Sequence, residues 1–251
     1  MKNIKYLVLS VLLITSSFTA FATDSTTTKK SKGNLSLATD LVSSYVWRGT
    51  ALAGVSLQPT IGFDIAGFSV SAWGSTDFNY GSSGYSELDF TIGYSNWGAS
   101  LSLTDYCWTN ALGNFDYFGA YTNNHYLEIG VGFDFGEYFE KVPISISVNT
   151  MLYGATTTFP TYISIAYTYP VKGIVDLNAE VGAAIEKTGG FYSPNAGFSV
   201  TNVSLGASRV FDIKGKVDIV LKADLICNPA AVGTGFGSGP INFVAGVGFS
   251  L

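Results

Sequence analysis

Residues 56–76 read SLQPTIGFDIAGFSVSAWGST, and the alternation inside this stretch decides the fold class. Leu57, Pro59, Ile61, Phe63 and Ile65 alternate with Ser56, Gln58, Thr60, Gly62 and Asp64. After the dipeptide Ala66-Gly67 the parity changes, and Phe68, Val70 and Ala72 alternate with Ser69, Ser71 and Ser75. Successive side chains of a strand point to opposite faces, so each half is a strand with one apolar face. A two-residue connection ending in Gly joins such strands as a hairpin.

Working outward, the same period-2 rhythm starts at Asn34 and runs to Leu251. The first strand is expected over 34–48, with Leu35, Leu37, Leu41, Tyr45 and Trp47 opposing Ser36, Asp40, Ser44 and Arg48. Later strands centre on Ile92, Leu101, Ile129, Ile146, Ile165, Val181, Leu205, Leu221 and Phe243. The segment 198–211 alternates least cleanly. The count is twelve, which predicts an all-β, membrane-spanning, antiparallel up-and-down β-barrel over 34–251.

The connections near 66–67, 96–98, 136–142, 170–174 and 212–215 are short. Those near 49–55, 79–85, 109–124, 154–160, 186–199 and 229–240 are mostly longer. Short turns at one end and long loops at the other are the habit of outer-membrane barrels.

Composition agrees. Only 12% of the 251 residues are charged and the chain carries 29 Gly, against about 25% charged residues in soluble domains. Lys2 and Lys5, the apolar run Tyr6 to Ile14, and Ala20-Phe21-Ala22 read as a signal peptide over 1–22. A polar segment, 23–33, follows it. Loss of Lys2 and Lys5 would take the formal net charge from −5 to −7. An acidic chain without clustered Lys and Arg argues against nucleic acid as a partner. Cys107 and Cys227 share the apolar parity on distant strands and are expected to be free thiols.

The apolar stripes carry almost no charge, with Asp105 and Arg209 as exceptions, while the other parity is filled with Ser, Thr, Asn, Gly and carboxylates. This predicts apolar side chains outside, toward lipid, and a wet interior. Aromatic belts are expected at both rims, Tyr45, Trp47, Phe78 and Tyr80 at the outer one, and Phe68, Tyr94, Trp97, Phe135, Tyr167, Tyr169 and Phe249 at the periplasmic one. The last strand ends with Phe249 and Leu251, similar to the C-terminal signal by which outer-membrane barrels meet the barrel-assembly machinery.

Ser43-Ser44-Tyr45-Val46-Trp47-Arg48-Gly49, with Gln58-Pro59, Ala72-Trp73-Gly74-Ser75 and Glu87-Leu88-Asp89, resembles the TorF family of porins, most clearly over 38–108. The resemblance implies a Gram-negative outer-membrane barrel with a channel function.

The lumen parity places Asp40, Asp64, Asp77, Glu87, Asp89, Glu128, Asp134, Asp176, Glu180, Asp218 and Asp224 inside, opposed by Arg48, Lys216 and Lys222. If water fills the interior, this lining favours small cationic or neutral solutes. The competing expectation is a hydrogen-bonded plug in a structural or adhesive barrel. Gly62, Gly93, Gly130, Gly132, Gly182, Gly246 and Gly248, on the lumen parity, are expected to leave room for a narrow pore. Arg48 is expected to pair with a lumen carboxylate. A lipid hydrolase would need a Ser beside a His, and the only histidine, His125, has Leu127 as its same-face neighbour. No catalytic residue, metal ligand or cofactor is expected. Loop 109–124, with Phe115, Tyr117, Phe118 and Tyr121, is the candidate adhesive surface.

Overall fold

The computed structural model describes residues 33–79, 84–109, 116–139, 143–154, 158–235, 237 and 239–251. The expected signal peptide over 1–22 and the 23–32 segment lie outside them, as do Tyr80 and Phe115.

The strands in chain order are β1 (Asn34–Val42), β2 (Tyr45–Trp47), β3 (Thr50–Ala53), β4 (Ser56–Ile65), β5 (Phe68–Thr76), β6 (Ser86–Asn96) and β7 (Ala99–Thr109). They continue with β8 (His125–Asp134), β9 (Ile144–Tyr153), β10 (Thr161–Val171), β11 (Val175–Glu186), β12 (Gly197–Ile213), β13 (Val217–Cys227) and β14 (Ile241–Ser250). β4 to β14 pair antiparallel with their sequence neighbours, and β1 closes the ring between β14 and β4. The wall is therefore a closed barrel of twelve strands. Closure leaves no unpaired edge, which is what a sheet needs where water cannot reach its backbone.

The tight turns have the chemistry such connections demand. Ala66 and Gly67 have φ of 53° and 87°, and Trp97 and Gly98 have 51° and 71°. Two consecutive positive values make a turn whose twist matches the flanking strands.

The barrel is built inside out relative to a soluble one. Leu205 is 64% exposed and Phe243 65%, whereas Glu128 is 3% and Asn202 0% exposed. At the turn end Phe68, Tyr94, Trp97, Tyr167, Tyr169 and Phe249 are exposed in a belt. At the loop end Phe78, Tyr121, Tyr153, Phe159 and Phe198 are exposed.

Three expectations are corrected. The first strand stops at Val42, not residue 48, and β2 and β3 form a separate two-stranded hairpin. Tyr45 and Trp47, expected in the outer belt, are 2% and 5% exposed in a buried cluster with Tyr106, Met151, Tyr162 and Tyr192. The reason lies at the exit point. Ser43 accepts a backbone hydrogen bond from Ala245 on its hydroxyl at 2.9 Å and donates its own N–H to the Ala245 carbonyl at 2.8 Å. That clamp to β14 ends the wall, and the chain turns inward. The third correction concerns the wall glycines. A Cβ at Gly130 would strike Ser102 and Asn149, one at Gly132 Ser100, one at Gly246 Lys222, and one at Gly248 Asp40. At these four positions the missing side chains make room for polar neighbours, not for a bore.

Segment 198–211, the least legible, belongs to β12, the longest strand at 17 residues. Its register shifts where Gly182 opposes Asn202 and Ala183 opposes Val200, which leaves Thr201 as a bulge residue. Cys107 and Cys227 are free.

Candidate functional site: the lumen and its inward hairpin

Arg48 and Gly49 form the tip of the β2–β3 hairpin, with φ of 51° and 87°. Gly49 is required there on two counts. Its backbone is left-handed, and a Cβ would overlap the Thr201 carbonyl at the β12 bulge. The bulge and the hairpin tip are thus fitted to each other.

The turn points the Arg48 side chain across the lumen at Glu128 on β8. Nη1 and Nη2 donate to the two carboxylate oxygens at 2.6 and 2.9 Å. Tyr106 donates to the same carboxylate at 2.9 Å, as does Tyr192 at 2.9 Å, and the Tyr192 hydroxyl accepts from Arg48 at 2.5 Å. The guanidinium carbon lies 4.6 Å from the ring centres of Trp47 and Tyr162 and 4.9 Å from that of Tyr192. A planar cation suits this double task, since its edge serves the carboxylate while its faces meet aromatic rings.

A second inward segment, 187–196, covers the hairpin from the loop end. Glu186, buried at the end of β11, accepts the N–H groups of Phe191, Tyr192 and Ser193 at 3.1, 2.6 and 2.8 Å. One carboxylate therefore fixes the loop that delivers Tyr192 to Glu128.

Two cavities flank the hairpin. The loop-end chamber, about 270 Å³, is lined by Trp47, Arg48, Tyr85, Trp108, Tyr126 and Phe191 among others. The turn-side cavity, about 50 Å³, is lined by Tyr45, Val46, Gln58, Glu180, Lys222 and Asp224 among others. Tyr45 and Val46 line one, and Trp47 and Arg48 the other.

The expected lumen residues distribute along this axis. Glu87 accepts from Trp108 Nε1 at 2.5 Å and from the Tyr85 hydroxyl at 2.8 Å, with Asp89 buried two residues on. Glu180 accepts from Tyr162 and Asn202, both at 3.1 Å. Lys222 pairs with Asp40 at 3.1 Å. Asp224 is buried, and its Oδ2 has no partner among the described residues. Asp64, Asp176 and Asp218 sit half-buried toward the turn end. Asp134 lies exposed at that rim, where it accepts the N–H of Gly136 at 2.8 Å.

Sequence reading missed Glu186 and the inward aromatics Tyr106, Trp108, Tyr126 and Tyr162. The signal was present: all four rings stand on the polar parity, in the loop-side half of their strands.

His125 and Asp105 lie on the outer wall instead. His125 Nδ1 is 3.1 Å from both Asp105 oxygens, and its Nε2 is 3.0 Å from the Tyr117 carbonyl. Tyr117 and Tyr121 donate to Asp105 at 2.7 and 2.8 Å. Part of loop 109–124 is thereby strapped down around the charge that interrupts the outer stripe. The other exception, Arg209, lies 4.9 Å from the Phe211 ring.

Comparison with known proteins finds no matching family model and no matching curated protein. Among solved structures, the chain is similar to OmpF of Salmonella typhi in complex with daunomycin, at 8% identity and a TM-score of 0.39, covering 88% of this chain and 98% of that one. It is also similar to the translocator domain of the autotransporter NalP from Neisseria meningitidis, at 10% identity and a TM-score of 0.40, covering 87% of each chain. The β domain of the Bordetella autotransporter Brka matches at 13% identity and a TM-score of 0.39, covering 87% of this chain and 98% of that one.

Proposed function

We propose that this chain sits in a bacterial outer membrane as a porin-like channel for small cationic or neutral solutes, closed in this conformation by the β2–β3 hairpin. One observation carries the reading: consecutive residues of a three-residue strand line two cavities, one toward each end of the barrel. The barrier between them is then a short hairpin held by side chains rather than by the ladder of the wall. Moving it joins the cavities.

The outward apolar band supports the lipid setting, because exposed Leu, Val, Ile and Phe all around a closed barrel need a nonaqueous cover. The resemblance of residues 38–108 to TorF porins supports the same setting. The cation preference rests on the lining, where Glu87, Asp89, Glu180 and Asp224 outnumber the bases that face them.

A second reading, a structural or adhesive barrel with a permanent plug, draws on the saturation of Arg48 by one carboxylate, one phenol and three rings. Planar-bilayer recording separates the two. The channel reading expects rare cation-preferring openings for the intact protein and frequent ones when residues 45–53 are replaced by a short Gly-Ser linker. Conduction from the linker variant with complete silence from the intact protein favours the permanent plug, silence from both sinks the channel, and anion-preferring steps sink the proposed selectivity.

A further inference from the structure

We infer that the loop-end chamber is a binding site for a small organic cation, an ammonium or guanidinium compound. This narrows the solute class of the proposed channel. It rests on that reading for what the solute is doing there, and not for the binding itself.

Size comes first. About 270 Å³ falls just below the range of drug-sized ligand sites, so the chamber suits a metabolite of few heavy atoms. Its walls are mostly rings, Trp47, Tyr85, Trp108, Tyr126, Phe191 and Tyr192, with Arg48, Thr50 and Leu52 completing them. Three of the rings donate to carboxylates, Tyr85 and Trp108 to Glu87 and Tyr192 to Glu128. Donation to an anion pushes electron density back onto the ring, which strengthens the negative face that a cation meets.

The protein already holds one cation on these rings. The Arg48 guanidinium stacks against Trp47 and Tyr192, both chamber walls. Its charge is answered by Glu128. Glu87 and Asp89, just behind Tyr85 and Trp108, have no Lys or Arg in ion-pair contact among the described residues. With Arg48 answered by Glu128, Glu87 and Asp89 are the acidic groups left beside the chamber, which disfavours anions and suits a second cation.

The site is also anchored in advance, since Glu186 fixes the backbone of Phe191 and Tyr192.

The test is a fluorescence titration of the full-length protein in lipid nanodiscs, since two of its 4 tryptophans line the chamber. Choline should give a saturable change. Tetramethylammonium should give one as well, and glucose and acetate should give no saturable change. Glu87→Gln should weaken choline about fivefold, the upper end of the scale for one exposed cation–ring contact. Tyr85→Phe keeps the ring but removes one donor to Glu87, and should weaken choline by less; it serves where Glu87→Gln loses the heat-modifiable mobility of a folded barrel. No saturable choline signal, or glucose binding as tightly as choline, overturns the inference. Choline binding with silent bilayers removes the channel and keeps the site; conduction without choline binding does the reverse.

Discussion

Arg48 and Glu128, 80 positions apart in the chain, meet in a buried bidentate contact that joins the inward hairpin to the wall. Few other polar contacts tie the tip of this hairpin to β8, so the geometry concentrates its docking on one carboxylate. Taking one partner from a buried ion pair leaves the other charged and unpaired, which costs about 3–5 kcal/mol.

Glu128→Ala should therefore release the hairpin while leaving the barrel closed, because the wall is held by backbone ladders that Glu128 does not supply. Trypsin reports this directly. The Arg48–Gly49 bond is buried in the native protein and should resist cleavage, whereas in the variant it should be cut with heat-modifiable mobility retained. Resistance equal to the native protein would show that other contacts hold the hairpin. Arg48→Met combined with Glu128→Leu strands no charge but also removes the tryptic bond, so that variant is read by bilayer recording, where openings should be as rare as for the native protein.

Gly49→Ala should act at the same place through the backbone alone. The substitution puts a Cβ into the Thr201 carbonyl at a left-handed φ of 87°. The expected result is trypsin sensitivity at Arg48 with every charge still present. Gly173→Ala, at a positive-φ turn with open space around it, should leave Arg48 protected. Protection of Arg48 in both variants would show that the fit of Gly49 to the bulge does not govern docking.

The inside-out wall predicts opposite responses from neighbouring residues. Leu205→Lys, at the middle of β12 and facing outward, should destabilise the barrel in lipid vesicles by about 2–4 kcal/mol. Ser204→Lys points into the turn-side cavity and should cost far less. Denaturant unfolding in vesicles measures both. A larger loss from Ser204→Lys would reverse the assignment of faces.

How much of this was legible is clearest by comparing Leu57 with Trp47. Period-2 alternation places Leu57 on the outer face, and the wall agrees, since neighbouring strands carry the same pattern in register. The same alternation also places Trp47 outside, because Tyr45 and Trp47 continue the rhythm of Leu41. It fails there because alternation records the pleat of a strand and not which sheet the strand joins. The break came from Ser43 clamping to Ala245, 202 residues later. Arg48 was readable as the partner of some lumen carboxylate. Which one was not, since parity fixes the face of a residue but not its position across the lumen.

The outer strap makes a prediction about alkaline pH. Tyr117 and Tyr121 have phenols pushed above the ordinary value of 10.0, Tyr121 to about 12, first by partial burial and then by donation to Asp105. The neutral phenol is the form that donates, so its contribution is fully present below pH 10.0 and is lost as pH rises through about 12 for Tyr121. The strap should stay fastened at every physiological pH and loosen only in strong alkali. In an ultraviolet titration of phenolate, a Tyr117→Phe, Tyr121→Phe variant should lose two tyrosines from the late-ionising group and none from those that titrate near 10.0. Were the two lost from the group that titrates near 10.0 instead, Asp105 would not be the acceptor, and its place on an apolar wall would again need a cause.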